Sequence, residues 1–214
     1  MKILFQGDSV TDAGRDRSNP HDMGEGYPRY ASAMLADAFS DEASELEFIN
    51  LAISGNRTEH LCERLESDFV EIQPDIVSLL IGINDVWHHY SHGIETTDEQ
   101  FEACLRTVLD AMKTRTTARI LLIQPFLLEE VDPGAPGMRE ELARKQAIFR
   151  RLADEYADAY LPLDEILHTS ITEPQSYYSL DGVHPTPDGA CFIGEACLTA
   201  ISPLVEALLK KETD

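Results

Sequence analysis

Residues 1–15 read MKILFQGDSVTDAGR, and this stretch holds a short strand and the polar turn that follows it. The apolar run at 3–5 has the composition of a buried strand and leads directly into Gly7-Asp8-Ser9. A serine here has two interpretations. It can cap the helix that follows, as serines commonly do, or it can be a nucleophile exposed at the end of a buried strand.

The same pattern of a strand followed by a helix recurs along the chain. Four further apolar runs predict strands at 48–51, 76–81, 120–123 and 160–163. Most of these runs lack polar–apolar alternation, which is typical of parallel strands buried on both faces. Helical spacing predicts helices at 27–39, 58–70, 97–114, 138–156 and from about Asp188 onward, with Pro203 expected to break or kink the last one. The alternation predicts an α/β fold with a five-stranded, mainly parallel sheet, in a single domain over residues 1–214.

Composition restricts the classes of partner. The 214 residues carry 39 acidic against 17 basic side chains, a formal net charge of −22. Such a charge argues against binding nucleic acid or an anionic membrane and favours a neutral or cationic substrate.

The N-terminus lacks the pattern of a signal peptide, and apolar runs such as 76–83 are too short to span a bilayer, so we expect a cytoplasmic protein. None of the four cysteines lies in a C-x-x-C pair, which speaks against a zinc or redox site.

Polar residues cluster just after the predicted strands. Gly7-Asp8-Ser9 follows the first strand, Ser54-Gly55-Asn56 the second and Gly82-Ile83-Asn84-Asp85 the third, while Asp181-Gly182-Val183-His184 precedes the last helix. Because ligands bind at the carboxyl ends of strands in open α/β sheets, we expect these stretches to converge on one edge.

Together they hold the groups that acyl transfer requires. A serine hydroxyl needs an imidazole to take its proton, and the imidazole needs a carboxylate on its other nitrogen. Ser9, His184 and Asp181 fit these roles. The tetrahedral intermediate needs hydrogen-bond donors, and the backbone N–H groups of Ser9 and Gly55 and the side-chain amide of Asn84 fit that role.

These stretches resemble the motif blocks of the SGNH (GDSL) hydrolase family, in the family's order and over almost the whole chain. The blocks are G-D-S with Ser9, the glycine Gly55, G-x-N-D with Asn84, and D-x-x-H with Asp181 and His184. The one small departure is Val10, where the family has leucine. The resemblance implies a flavodoxin-like, three-layer α/β/α fold and serine hydrolysis of esters or thioesters without a metal or organic cofactor. Within the family, the strings at 24–27, 55–58 and 81–87 look closest to bacterial carbohydrate acetylesterases of the acetylxylan esterase type.

Several residues keep a second interpretation. Gly55 can be a turn glycine, and Asn84 can bond loop backbone. We assign Trp87 and Asp8 to substrate binding; the alternatives are a buried packing residue for Trp87 and a turn-shaping acid for Asp8.

The spacing of His88 and His92 is compatible with a metal site, but no H-E-x-x-H pattern accompanies them. We therefore interpret 87–92 as a polar loop bordering the site. The loop at 128–137 is interpreted as a lid or an oligomer contact.

The sequence therefore predicts a serine esterase that removes short acyl groups, acetyl first among them, from a small acylated molecule such as an acetylated sugar. A thioesterase or lysophospholipase of the same family is the nearest alternative. A non-enzymatic flavodoxin-like module is disfavoured, because Asp8, Asp12 and Asp16 would surround its phosphate site. The resemblance also allows a homo-oligomer, whereas the alcohol half of the ester is left open.

Overall fold

Five parallel strands form the single sheet of the structure, a computed structural model that describes residues 1–42, 45–132 and 134–212. The strands are β1 (Lys2–Gly7), β2 (Glu47–Asn50), β3 (Ile76–Leu80), β4 (Arg119–Ile123) and β5 (Ala159–Leu161). Their order across the sheet is β2-β1-β3-β4-β5, and every neighbouring pair is parallel. This is the flavodoxin-like, doubly wound order, so the predicted fold class is confirmed.

Helices cover both faces of the sheet. They are α1 (Ser9–Asp12), α2 (Tyr27–Ala38), α3 (Thr58–Glu63), α4 (Ile83–His92), α5 (Asp98–Arg115), α6 (Met138–Tyr156), α7 (Leu163–Thr169), α8 (Gln175–Tyr178) and α9 (Pro187–Glu212). Along β1, Ile3 and Phe5 pack on the side of α2 and α9, while Leu4 packs on the opposite side with α3 and α5. Because both faces of each strand are buried, the strands read as nearly continuous apolar runs in the sequence.

The segment at 87–92, which the sequence suggested was a polar loop, is helical, so that interpretation was wrong. Helix α4 begins after Gly82 and buries Ile83 and Val86 in the core. It ends at Gly93, whose φ of 67° lies in the left-handed region and lets its N–H reach the carbonyls of the last turn. Buried apolar residues in its first turn and a glycine cap therefore outweigh the weak helix propensity of a histidine-rich sequence.

Two other helices differ from expectation. The helix predicted at 58–70 divides into α3 and a π-helical turn at Glu66–Val70, which places the buried Asp68 beside Gln6. Helix α9 continues through Pro203, so a break there was wrong. Proline removes one backbone hydrogen bond, but Ile201 and Val205 are both fully buried and hold the helix against the core on either side.

Helix α9 also has the length and apolar composition of a membrane-spanning helix over Pro187–Lys210, and a stretch of 18 residues within it has a mean hydropathy of 1.6. No continuous apolar run in the sequence predicted this. In the structure, a third of that 18-residue stretch is buried, and its apolar residues Ile193, Cys197 and Ile201 pack into the core. One face of α9 therefore packs into the core beside α2.

Candidate active site

The first feature of the site is the tight turn from β1 into α1. A Cβ atom on Gly7 would lie 2.2 Å from the carbonyl oxygen of Leu80, so this position accepts no side chain. Asp8 caps the helix by accepting a hydrogen bond from Val10 N over 3.1 Å. Ser9 is thus the first helical residue and not the cap. Its backbone N–H has no partner inside the helix, as expected for the first turn.

The second feature is the loop before α9, which brings an imidazole to Ser9. Ser9 Oγ lies 2.8 Å from His184 Nε2, and His184 Nδ1 lies 2.6 Å from Asp181 Oδ2. Both side chains are about half exposed. Burial alone would raise the pKa of Asp181, but hydrogen bonds from the His184 side chain and from the backbone of His184 and Val183 lower it below its usual value. The carboxylate is therefore ionised at neutral pH and accepts a hydrogen bond from the Nδ1–H group of His184.

Hydrogen bonds within and beside this loop fix its shape. Asp181 Oδ1 accepts from His184 N over 2.7 Å, while the fully buried Ser179 donates its hydroxyl to His184 O over 2.9 Å. Leu128 N donates to Gly182 O over 2.8 Å, which joins the loop to the segment after β4. The pairing of His184 with Asp181 thus rests on backbone contacts as well as on their side chains.

The third feature is the candidate oxyanion loop, which we define as residues 54–58. Gly55 has φ +83°, a conformation that favours glycine, and its N–H donates to no group in the described ranges. Asn84, in the first turn of α4, donates its Nδ2 to the carbonyl oxygen of Asn56 over 3.1 Å. One N–H of that amide remains for a ligand. The loop-bonding interpretation of Asn84 is therefore confirmed, and its role as an oxyanion donor stays a prediction.

Two buried acids hold this loop at its ends. Asp12 Oδ2 accepts from Ser54 N over 2.7 Å and from Ser54 Oγ over 2.8 Å. Asp85 accepts from Thr58 N over 3.0 Å and from Thr58 Oγ1 over 2.7 Å. Their position in the sequence can identify them, because each acid follows the functional residue of its motif block, Ser9 or Asn84, within three residues.

Asp8 lies beneath the site rather than in it. Its side chain is 1% exposed, and its Oδ2 atom has no hydrogen-bond partner in the described part of the chain. Burial raises the pKa of Asp8 to about 7, with smaller opposing effects from the Val10 N–H and from His184. The geometry gives Asp8 its turn-shaping role and no surface toward a substrate.

The histidines of α4 share a face, as their spacing requires. The rings of His88 and His92 lie with their centres 5.0 Å apart. Over the described ranges, however, no three His, Cys, Asp or Glu side chains come together in a way that would hold a metal ion.

Two cavities flank the serine–histidine pair. The cavity beside Asp181, which we call the Trp87 cavity, has a volume of about 230 Å³ and is lined by Trp87, Tyr90, Ser91, Leu127, Asp132, Gly134, Ala135, Met138 and Asp181. Trp87 is half-buried, and its ring centre lies 6.0 Å from that of His184. The segment at 128–137 contributes to the wall of this cavity, although Pro133 lies outside the described residues. The second cavity, of about 220 Å³, contains Ser9 and His184 and is bounded by Glu25 and Tyr30.

Comparison with known proteins gives the same assignment over most of the chain. A family model described as the GDSL-like Lipase/Acylhydrolase family matches residues 5–190. An acetylxylan esterase from Geobacillus stearothermophilus is 31% identical over 94% of this chain and 93% of its own length. The thioesterase 1/protease 1/lysophospholipase L1 of Escherichia coli (strain K12) is 28% identical over 84% of this chain and 79% of its own.

A solved structure agrees with these sequence relatives. A candidate GDSL-like lipase from Parabacteroides merdae superposes with a TM-score of 0.87 at 32% identity, covering 94% of this chain and 95% of the other. The family predicted from the motif blocks is confirmed: the chain belongs to the GDSL-like lipase/acylhydrolase family and is a carboxylic ester hydrolase.

Proposed function

We propose that this chain is a serine esterase that removes short acyl groups, acetyl above all, from small acylated carbohydrates. The observation that carries the proposal is the continuous hydrogen-bonded series from Ser9 Oγ through the His184 ring to Asp181 Oδ2, with distances of 2.8 Å and 2.6 Å. Such a series makes a serine hydroxyl nucleophilic at neutral pH.

In the proposed reaction, Ser9 Oγ attacks the ester carbonyl carbon while His184 Nε2 takes the hydroxyl proton. Asp181 holds the ring in the tautomer that leaves Nε2 free to accept that proton. The N–H groups of Ser9, Gly55 and the Asn84 side chain stabilise the oxyanion of the tetrahedral intermediate. His184 then returns the proton to the leaving alcohol oxygen, and water releases the acyl group from Ser9 by the same steps.

The size of the site supports a short acyl group. Both cavities, of about 230 and 220 Å³, fall below the roughly 300 Å³ at which pockets for drug-sized ligands begin. The Trp87 ring beside His184 offers a flat apolar surface of the kind on which a sugar ring packs. The acetylxylan esterase relative supports the same choice of acyl group.

Acetate release from a panel of acetylated mono- and oligosaccharides tests this function, with butyryl and octanoyl esters of the same alcohols as comparison. We expect kcat/KM to fall as the acyl chain lengthens and Ser9→Ala to abolish release. A preference for the longer chains would support instead the thioesterase or lysophospholipase activity to which the Escherichia coli relative points.

The same proposal covers properties beyond the chemistry. We propose one hydrolase domain over residues 1–214, acting in the cytoplasm on imported acetylated oligosaccharides, with no metal or organic cofactor, no nucleic-acid partner and no membrane attachment. A homo-oligomer is compatible with it. Size-exclusion chromatography with light scattering, and fractionation of the cells that produce the protein, test the assembly and the location.

A further inference from the structure

We propose that the Trp87 cavity selects esters whose alcohol moiety carries an ammonium group. The inference rests on the proposed esterase function, and it adds one property, a positive charge, to the alcohol moiety of the substrate. It depends on three features of the cavity: two aromatic side chains, one uncompensated carboxylate and the absence of basic residues from the lining.

The aromatic side chains come from one face of α4. Trp87 and Tyr90 are three residues apart, so they are neighbours on the helix surface, and both line the cavity. Burial and the nearby Glu141 carboxylate raise the pKa of the Tyr90 hydroxyl, and a Cβ atom on Gly137 would lie 3.0 Å from that hydroxyl. The far end of Tyr90 therefore lies beside α6 and the turn before it. Trp and Tyr rings attract cations that approach their faces.

The carboxylate is that of Asp132, in the segment after β4. Asp132 is exposed, accepts a hydrogen bond from Gly134 N over 2.8 Å, and forms no ion pair with any described residue. The cavity's other acid, Asp181, is already paired with His184. In the second cavity, Glu25 is paired with Arg29 over 2.7 Å. Asp132 is therefore the acid at the site whose charge remains for a ligand.

No lysine or arginine is among the nine lining residues of the Trp87 cavity, and none is among those of the second cavity. The chain as a whole carries a formal charge of −22, so its field draws cations toward the surface and repels anions. A neutral sugar would pack on Trp87 and could donate a hydroxyl hydrogen bond to Asp132, but it would gain no cation–π or ion-pair attraction. An ammonium group would gain from both.

Trp87 is the chain's single tryptophan, so its fluorescence reports directly on this cavity without any catalysis. We would titrate the protein at about pH 6, where amines are protonated and carboxylates ionised. Choline is compared with its neutral isostere 3,3-dimethylbutan-1-ol, and glucosamine with glucose, all at matched ionic strength. The first pair tests a quaternary ammonium group and the second an amino sugar.

We expect the Trp87 fluorescence change to reach saturation at a concentration about fivefold lower for each cation than for its neutral counterpart. The reason is that the cation interacts with both an aromatic ring and an exposed carboxylate. Asp132→Asn should reduce that preference to about twofold or less. Asp37→Asn, which removes one negative charge from the exposed surface of α2, should leave the preference intact. In turnover, acetylcholine should exceed 3,3-dimethylbutyl acetate about fivefold in kcat/KM for the same reason.

The proposal is overturned if the charged member of neither pair saturates at lower concentration than the neutral one, or if Asp132→Asn keeps the full preference. It is also overturned if the preference instead disappears in Glu25→Gln, because the cation would then occupy the second cavity. Failure of the proposed esterase function would be seen in a different measurement. In that case the protein would not hydrolyse acetate esters, whatever the result of the fluorescence titrations.

Discussion

Asn84 donates its side-chain amide to the carbonyl oxygen of Asn56 over 3.1 Å, and this bond joins the turn after β3 to the candidate oxyanion loop. The contact fixes the plane of the amide, so the second N–H of Asn84 points in one direction. Two of the three candidate oxyanion donors are therefore held relative to each other before any substrate arrives. Preorganised donors of this kind lower the barrier because they need no rearrangement during the reaction.

Replacing Asn84 with Ala should lower kcat by roughly 10²–10³-fold and change KM little, because the lost donor acts mainly on the transition state. Steady-state hydrolysis of 4-nitrophenyl acetate measures both constants. Asn56→Ala is the matched control, since it keeps the backbone carbonyl that Asn84 bonds and removes only the side chain. Equal losses in the two variants would mean that the loop's shape, and not the Asn84 donor, limits the rate.

Replacing Asp181 with Asn should lower kcat by about 10⁴-fold while the protein stays folded. An amide can keep an oxygen toward the backbone N–H groups of Val183 and His184, which Asp181 Oδ1 now bonds. It would then present its NH₂ group to His184 Nδ1, and the ring would carry its proton on Nε2, facing Ser9. Thermal unfolding and kcat measured on the same preparation check this. An active Asp181→Asn variant would remove Asp181 from the mechanism.

The sequence predicted the strands well because each is apolar on both faces, a pattern that needs no knowledge of neighbours. It also placed Ser9, Gly55, Asn84 and His184 at one edge, because parallel strands bring their carboxyl ends together. The role of Asp12 was missed for the opposite reason. It bonds Ser54, 42 positions away, and a carboxylate that will be buried looks the same in a sequence as one that will be solvated. The helix at 87–92 was missed because its stability comes from core contacts of Ile83 and Val86, outside the segment itself.

Replacing Asp12 with Ala should lower both stability and kcat, because Ser54 N would lose its acceptor and the candidate oxyanion loop its anchor to α1. A buried donor without a partner costs about 1–3 kcal/mol, which urea unfolding can resolve. Asp12→Asn keeps one oxygen for Ser54 N, so we expect it to recover most of the loss in kcat. If the Ala and Asn variants are equally impaired, the charge of Asp12 matters and its hydrogen bonds do not.

Replacing Asp8 with Asn should stabilise the protein at neutral pH and above, and hardly at all near pH 4. Burial raises the pKa of Asp8 from 3.8 to about 7. Between these values the folded state keeps a proton that the unfolded state has lost, so folding becomes less favourable as pH rises through this window. The whole shift corresponds to at most about 4 kcal/mol by linkage. Asparagine resembles the protonated carboxyl group in shape and keeps the oxygen that caps Val10 N, so it removes this penalty.

Urea unfolding of the wild type and Asp8→Asn from pH 4 to 8 should give free energies of unfolding that separate as pH rises. Asp37→Asn, an exposed change of equal charge, should follow the wild type. Parallel curves for the wild type and Asp8→Asn would mean that Asp8 stays ionised in the folded protein despite its burial.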